Sequence, residues 1–182
     1  MTIRIDDIPE EGLDLDLTRE KHILTDLPAP IPLPPGVAID PGVKGDLRVF
    51  VDKEDIFLIG HVQAVLHLQC SRCLEDFLLE KDVDLNVVLR RGSPASAIKD
   101  PESDAAQGET FFIEGDEIYV GEILLQEILL ELPMKPLCRE ECPGLCPRCG
   151  ARAGSPACTC PREERSDPRW NALAELKKKL AK

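Results

Sequence analysis

Strict alternation of apolar and polar residues dominates the middle of the chain. From Asp55 to Cys70 every second position is apolar or small, whereas His61 and His67 lie in the other set of positions. This alternation is typical of a β-strand with one buried and one solvated face. The positions of the buried face are Ile56, Leu58, Gly60, Val62, Ala64, Leu66, Leu68 and Cys70.

A second alternating segment follows at once, in the sequence KDVDLNVVLR of residues 81–90. Its apolar residues Val83, Leu85, Val87 and Leu89 are in phase with one another. The short sequence CSRCLEDF separates the two segments, so they predict an antiparallel hairpin. We therefore expect Cys70 and Cys73 to lie at or near its turn.

The start of the chain shows the same strand pattern, in TIRI and GLDLDL. The proline-rich residues 27–42 predict an extended connector. The small, polar and acidic residues 92–109 predict a loop.

The pattern changes to a helical period in EIYVGEILLQEILLEL, which Pro133 and Pro136 terminate. A second, shorter helix is predicted after Asp167, a candidate N-cap that Pro168 follows. Its apolar residues are Trp170, Leu173, Leu176 and Leu180. The sequence thus predicts an α+β protein with an antiparallel sheet, open or barrel-like, one long helix and a cysteine-rich C-terminal tail ending in a short helix. The body is expected at 1–134 and the cysteine-rich tail at 135–182.

Charge is divided unevenly between these two parts. The net charge is -12, but residues 1–134 hold 11 Lys and Arg against 28 Asp and Glu, whereas residues 135–182 hold 11 against 6. An acidic body repels phosphate, which argues against nonspecific coating of nucleic acid. The candidate contacts for RNA or a partner are basic residues of the tail: Arg148, Arg152, Lys177, Lys178 and Lys179. A solvated helix end is the alternative interpretation of the three lysines.

The start of the chain has neither a basic stretch nor an apolar run, and no long apolar segment follows, so we expect a cytoplasmic protein. Disulfides are rare there, and a chain of 182 residues can build a core without them. The eight cysteines should therefore be reduced or metal-bound. They form the pairs Cys70/Cys73, Cys138/Cys142, Cys146/Cys149 and Cys158/Cys160.

Two such pairs can complete the tetrahedral set of four sulfurs that zinc prefers. We assign Cys146, Cys149, Cys158 and Cys160 to a first structural zinc site. Cys70, Cys73, Cys138 and Cys142 form a candidate second site, which would clamp the tail onto the sheet. Two alternatives stay open: Cys138/Cys142 could pair with Cys146/Cys149, and Cys70 and Cys73 could be unligated. Iron is an alternative metal.

Catalysis has little support in the sequence. No histidine follows residue 67, no phosphate-binding loop or GxSxG motif is present, and His22, His61 and His67 are isolated. Catalytic zinc usually keeps an open position beside other ligand types. A redox dithiol would favour a CxxC motif that opens a helix, whereas Cys70 and Cys73 are predicted on a hairpin. We predict that the protein is not an enzyme, with a redox enzyme as a distant alternative.

Several motifs together resemble the YceD family: IDDIPEEGL, CSRCLEDF, LPMKPLCREECPGLCPRCG and DPRWNALAELK. Members of that family are described as large ribosomal RNA subunit accumulation proteins. One departure is ARAGSPA after the CPRCG knuckle, where we would expect Asn-Leu-Asn in many relatives.

The resemblance implies a non-enzymatic bacterial factor for ribosomal large-subunit biogenesis, with large-subunit RNA or a large-subunit ribosomal protein as its partner. The alternative function is a zinc-dependent interaction module whose acidic sheet binds a basic partner, without a direct role in RNA binding. No small-molecule substrate and no membrane partner are indicated.

Overall fold

The computed structural model describes residues 1–53, 55–92, 109–113 and 115–160. The chain divides into two compact units, Met1–Cys142 and Pro143–Lys182. The predicted loop lies outside the described residues except at its two ends, and the predicted terminal helix lies wholly outside them. The division into a body and a tail after residue 134 stays a prediction.

A six-stranded sheet and a two-stranded sheet form the frame of the first unit. The strands are β1 Thr2–Arg4, β2 Leu13–Asp16, β3 Val37–Ile39, β4 Lys44–Asp52, β5 Asp55–Gln69, β6 Asp76–Arg91, β7 Glu109–Ile113 and β8 Glu117–Tyr119. The large sheet has the order β2-β4-β5-β6-β7, with β3 on β5, and the small sheet pairs β1 with β8. This path does not join β2 to β7, so over the described residues the large sheet is open and not barrel-like.

The β5–β6 hairpin is the longest pairing in the sheet. All 15 residues of β5 have a partner on β6, from Asp55 opposite Arg90 to Gln69 opposite Asp76. The predicted hairpin and its buried face are confirmed: Ile56, Leu58, Val62 and the other large apolar residues of this face are buried, whereas His61 and His67 are exposed. The cysteine-containing turn follows β5 directly.

Three features of the sheet differ from the sequence prediction. β7 pairs with β6 in the parallel direction, so the sheet is mixed. β3 lies within the proline-rich connector, where Ala38 pairs with His67. Residues 117–119, which the helical pattern includes, form β8, because they pair with β1 instead. In each case the pairing is with a segment distant in sequence, and it overrides the local pattern.

One helix, α1, covers the inner face of the sheet and spans Val120–Leu130. Its buried residues Val120, Ile123, Leu124, Leu125 and Ile128 join the same core cluster as β5 and β6. Gly121 lies against the backbone carbonyl of Ile23, where a Cβ atom would clash. No helix in the part of the chain that the structure describes has the length and apolar character to span a membrane.

The segment after α1 returns to the turn of the hairpin. Glu131 forms a 2.8 Å ion pair with Lys81 of β6. Five residues later, the carbonyl oxygen of Pro136 accepts a hydrogen bond from the backbone N–H of Ser71. This path delivers Cys138 and Cys142 to the end of the hairpin.

Candidate metal centres

Four cysteines converge at the end of the β5–β6 hairpin, in what we call the hairpin cluster: Cys70, Cys73, Cys138 and Cys142. Their sulfur atoms all lie within 4.8 Å of one another. The Sγ atoms of Cys70 and Cys142 are 3.7 Å apart, and those of Cys73 and Cys138 are also 3.7 Å apart. A tetrahedral site with zinc–sulfur bonds of about 2.3 Å has sulfur–sulfur edges of about 3.8 Å. The spacing of the four sulfurs fits such a site.

The second group, the knuckle cluster, lies entirely in the second unit: Cys146, Cys149, Cys158 and Cys160. These four sulfurs also lie within 4.8 Å of one another, with 3.8 Å between the Sγ atoms of Cys149 and Cys158. An isolated antiparallel bridge between Leu145 and Arg152 closes the turn around the first pair. A single segment of 15 residues therefore supplies all four sulfurs.

Both CxxC motifs adopt the same local turn. The N–H of Leu74 donates to the carbonyl of Cys70 at 2.9 Å, and the N–H of Gly150 donates to the carbonyl of Cys146 at 2.8 Å. The donor residue is in the left-handed region in each turn, with φ of 58° at Leu74 and 72° at Gly150. Glycine adopts this conformation without strain, but leucine does not. The turn at Leu74 is therefore strained, and the surrounding structure must hold it in place.

The two clusters differ in their exposure to solvent. In the hairpin cluster Cys70, Cys73 and Cys142 are buried, and Phe77 and Leu137 pack against them. In the knuckle cluster Cys146 is buried, but Cys149 is exposed and Cys158 and Cys160 are partly exposed. The hairpin cluster is thus the better shielded from chelators and oxidants.

Backbone N–H groups stabilise a negative charge on one sulfur of each cluster. Burial opposes ionisation of Cys70, but N–H groups of Cys138, Arg72 and Cys73 outweigh it and lower its pKa to about 6. N–H groups of Cys149 and Arg148 lower the pKa of Cys146 to about 6. Each cluster thus contains a sulfur that ionises readily, and the thiolate is the form that binds metals.

Other sulfurs of each cluster resist ionisation. Burial, followed by hydrogen bonding to Cys73, Cys142 and Cys70, raises the pKa of Cys138 to about 12. Hydrogen bonding to Cys149, followed by burial, raises the pKa of Cys160 to about 12. Four thiolates at this spacing repel one another strongly unless a cation lies between them. A divalent metal would remove this conflict, since a coordinating thiol is deprotonated outright.

The donor sets consist of sulfur alone, because neither group contains a histidine or carboxylate ligand. Zinc and iron accept four sulfur ligands, and a closed set of four protein ligands is typical of a structural site. All eight cysteines are free of disulfides. Fold and site together define a class: a mixed-sheet protein with two tetracysteine clusters suited to structural metal ions.

Comparison with known proteins identifies the family. Residues 58–177, which include all eight cysteines, match the family described as "Large ribosomal RNA subunit accumulation protein YceD". The chain belongs to the YceD family. No solved structure matches it.

Curated relatives agree with this assignment. An uncharacterized protein of Mycobacterium tuberculosis is 34% identical over 77% of this chain and 65% of its own length. An uncharacterized protein of Mycobacterium leprae is 33% identical over 72% of this chain and 57% of its own length. The large ribosomal RNA subunit accumulation protein YCED homolog 1, chloroplastic, of Arabidopsis thaliana is 24% identical over 76% of this chain and 49% of its own length. The matches thus span about half to two-thirds of the relatives' lengths.

The other residues selected from the sequence are distributed as follows. Arg148 is exposed and Arg152 partly buried in the second unit, and Lys177, Lys178 and Lys179 lie outside the described residues. His61 is 2.8 Å from Asp84 and His67 is 2.9 Å from Asp40. The hydrogen bond to Asp84 raises the pKa of His61.

Two residues beside the hairpin cluster were not selected from the sequence. Ser71 donates from both its backbone N–H and its hydroxyl to the carbonyl of Pro136, each at 2.8 Å. Arg72 donates from Nη1 to the carbonyl of Cys142 at 3.1 Å. These contacts join segments 65 and 70 positions apart, so no local pattern could indicate them.

We expect the left-handed conformation at residue 74 to control the stability of the first turn. Leu74→Val should lower the free energy of unfolding by roughly 1–2 kcal/mol, because a β-branched side chain fits this region poorly. The free energy of unfolding of Leu74→Gly should equal or exceed that of the wild type. Glycine removes the backbone strain, and little packing is lost because Leu74 is 56% exposed. Chemical denaturation of the three proteins checks this. A Leu74→Val protein as stable as Leu74→Gly would contradict it.

Proposed function

We propose that the protein is a non-enzymatic factor of ribosomal large-subunit biogenesis, needed for the accumulation of large-subunit ribosomal RNA. The observation that carries this proposal is the family match over residues 58–177. The name of the plant relative supports the same role. The sulfur-only clusters support a factor whose metals hold structure, since a closed set of four thiolates leaves no position for a substrate.

Each cluster binds one zinc ion in this proposal. Cys146, Cys149, Cys158 and Cys160 hold the first, and Cys70, Cys73, Cys138 and Cys142 hold the second. Sulfur–sulfur distances of 3.7–3.8 Å support tetrahedral coordination. When bound, zinc supplies a positive charge that allows all four sulfurs to ionise, and the chain's own turns orient the sulfurs.

The basic residues of the tail make the contact with RNA or a ribosomal protein. Arg148 and Arg152 lie between the cysteines of the knuckle cluster, and Lys177, Lys178 and Lys179 follow near the chain end. Four thiolates and one zinc ion together carry a net charge of about -2, which reduces the positive charge of the tail. The contact is therefore local and does not depend on a broad basic surface.

The test is the ratio of large- to small-subunit ribosomal RNA in a strain that lacks this gene. We expect the ratio to fall and to recover with the wild-type gene. Cys146→Ser/Cys149→Ser should fail to restore it, because two sulfurs of the knuckle cluster are lost. Thr159→Ala is the matched control, since Thr159 is an exposed residue between two cysteines and should restore the ratio. An unchanged ratio in the deletion strain would contradict the proposed function.

A second candidate function is an interaction module that binds a basic protein without touching RNA. The observation that favours it is the outer face of the sheet, where Asp46 and Asp84 flank His61 on neighbouring strands. Asp84 is 95% exposed and Asp82 65% exposed.

Crosslinking in cells discriminates between the two candidates. The first predicts RNA or a ribosomal protein attached near Arg148 and Arg152. The second predicts protein alone, attached through the strands that carry Asp46 and Asp84. Charge reversal at Asp84, as Asp84→Lys, should reduce crosslinking only if the second candidate is correct.

A further inference from the structure

Arg72 lies between the two halves of the hairpin cluster and contacts both. Its backbone N–H donates to the sulfur of Cys70, which belongs to the hairpin half. Its guanidinium group donates to the carbonyl of Cys142, which belongs to the half that follows α1. Hydrogen bonds to neighbouring groups orient metal ligands and tune the affinity of a site.

The adjacent residue, Ser71, forms a second link between the same halves. Two of its groups donate to the single carbonyl of Pro136, each at 2.8 Å. Neither this link nor the guanidinium contact of Arg72 involves a sulfur atom. Both can therefore form before a metal ion binds.

Such links matter because the two halves are far apart in sequence. Cys70 and Cys142 are separated by 72 positions, and Cys73 and Cys138 by 65. If the metal alone held them together, its binding would also have to offset the entropy of ordering the segment after α1, since α1 itself is already packed in the core. A chain that already holds the halves in place binds the metal more tightly, because less ordering accompanies binding.

The knuckle cluster offers a contrast. All its sulfurs come from residues 146–160, so a short loop is closed when they converge. The structure thus contains one cluster built across the fold and one built within a local segment.

We propose that Ser71 and Arg72 form a metal-independent clamp that preorganises the hairpin cluster for a divalent cation with four thiolate ligands. Arg72 is the positioning residue of this clamp, since it contacts a ligand sulfur on one side and the backbone of a ligand residue on the other. The inference rests on the metal-binding role proposed for the cluster.

The test uses the full chain with Cys146→Ser/Cys149→Ser, which leaves the hairpin cluster complete and reduces the knuckle cluster to Cys158 and Cys160. Affinity for Zn²⁺ is measured by competition with a chelator, and the absorption of bound Co²⁺ reports thiolate coordination. Arg72→Met should weaken zinc binding by roughly 10-fold or more. Arg139→Met is the matched control, because Arg139 is an exposed arginine of the cluster's other half, between Cys138 and Cys142. It should change the zinc affinity by less than about 2-fold.

Two further variants separate positioning from folding. Arg72→Lys keeps the positive charge but lacks the planar guanidinium group of arginine. Its zinc affinity should therefore lie between those of the wild type and Arg72→Met. Ser71→Ala removes one of the two hydrogen bonds to Pro136 and should weaken binding less than Arg72→Met. The midpoint of thermal unfolding of the metal-free proteins should change little, so that a loss of stability does not account for the loss of zinc affinity.

The outcomes are distinct. Equal zinc affinities for Arg72→Met and Arg139→Met would overturn the clamp. It would also be overturned if metal-free Arg72→Met lost enough folding stability to account for the whole loss of zinc affinity. Absence of zinc binding in the parent protein would instead refute the metal-binding role itself. Hydrogen exchange gives an independent check: the amide of Ser71 should be protected without metal, and rapid exchange there would overturn the proposal.

Discussion

Four sulfur atoms held within 4.8 Å of one another at the end of a hairpin impose the central constraint on this molecule. At that spacing one thiolate is stabilised by backbone N–H groups, but four repel one another. The fold nevertheless places the four sulfurs at this distance. The 15 paired residues of β5 carry Cys70 to the end of the sheet, and α1 and the segment after it return Cys138 and Cys142 to the same place. A divalent cation would resolve the conflict that this fold creates.

The two clusters suit different roles because they are built differently. The hairpin cluster is buried and joins segments distant in sequence, so a metal ion there would stabilise the path of the chain after α1. The knuckle cluster is more exposed and is built from one short segment, residues 146–160. A metal ion there would order the segment that carries Arg148 and Arg152. The YceD family, to which the chain belongs, is named for the accumulation of large-subunit ribosomal RNA.

Much of the fold could be predicted from local patterns. Alternation identified β5 and β6, because one face of each is buried, and the placement of Cys70 and Cys73 at the turn followed from it. The parallel pairing of β7 could not be predicted, since it depends on a partner distant in sequence. The spacing of the cysteines left two groupings open, and only the return of the chain through α1 and the segment after it shows which sulfurs meet. The strained turn at Leu74 and the contacts of Arg72 gave no sequence signal, because leucine does not favour the left-handed region and Arg72 bonds to a carbonyl 70 positions away.

The most direct test of the account is native mass spectrometry of the full chain, purified without added chelator. The account predicts two zinc ions per chain, one fewer in Cys70→Ser/Cys73→Ser and one fewer in Cys146→Ser/Cys149→Ser. Denaturation in acid should release both ions and leave eight free thiols. A metal-free wild-type protein with the same eight reduced thiols would contradict the account, because the clusters would then exist without the cation that their geometry fits.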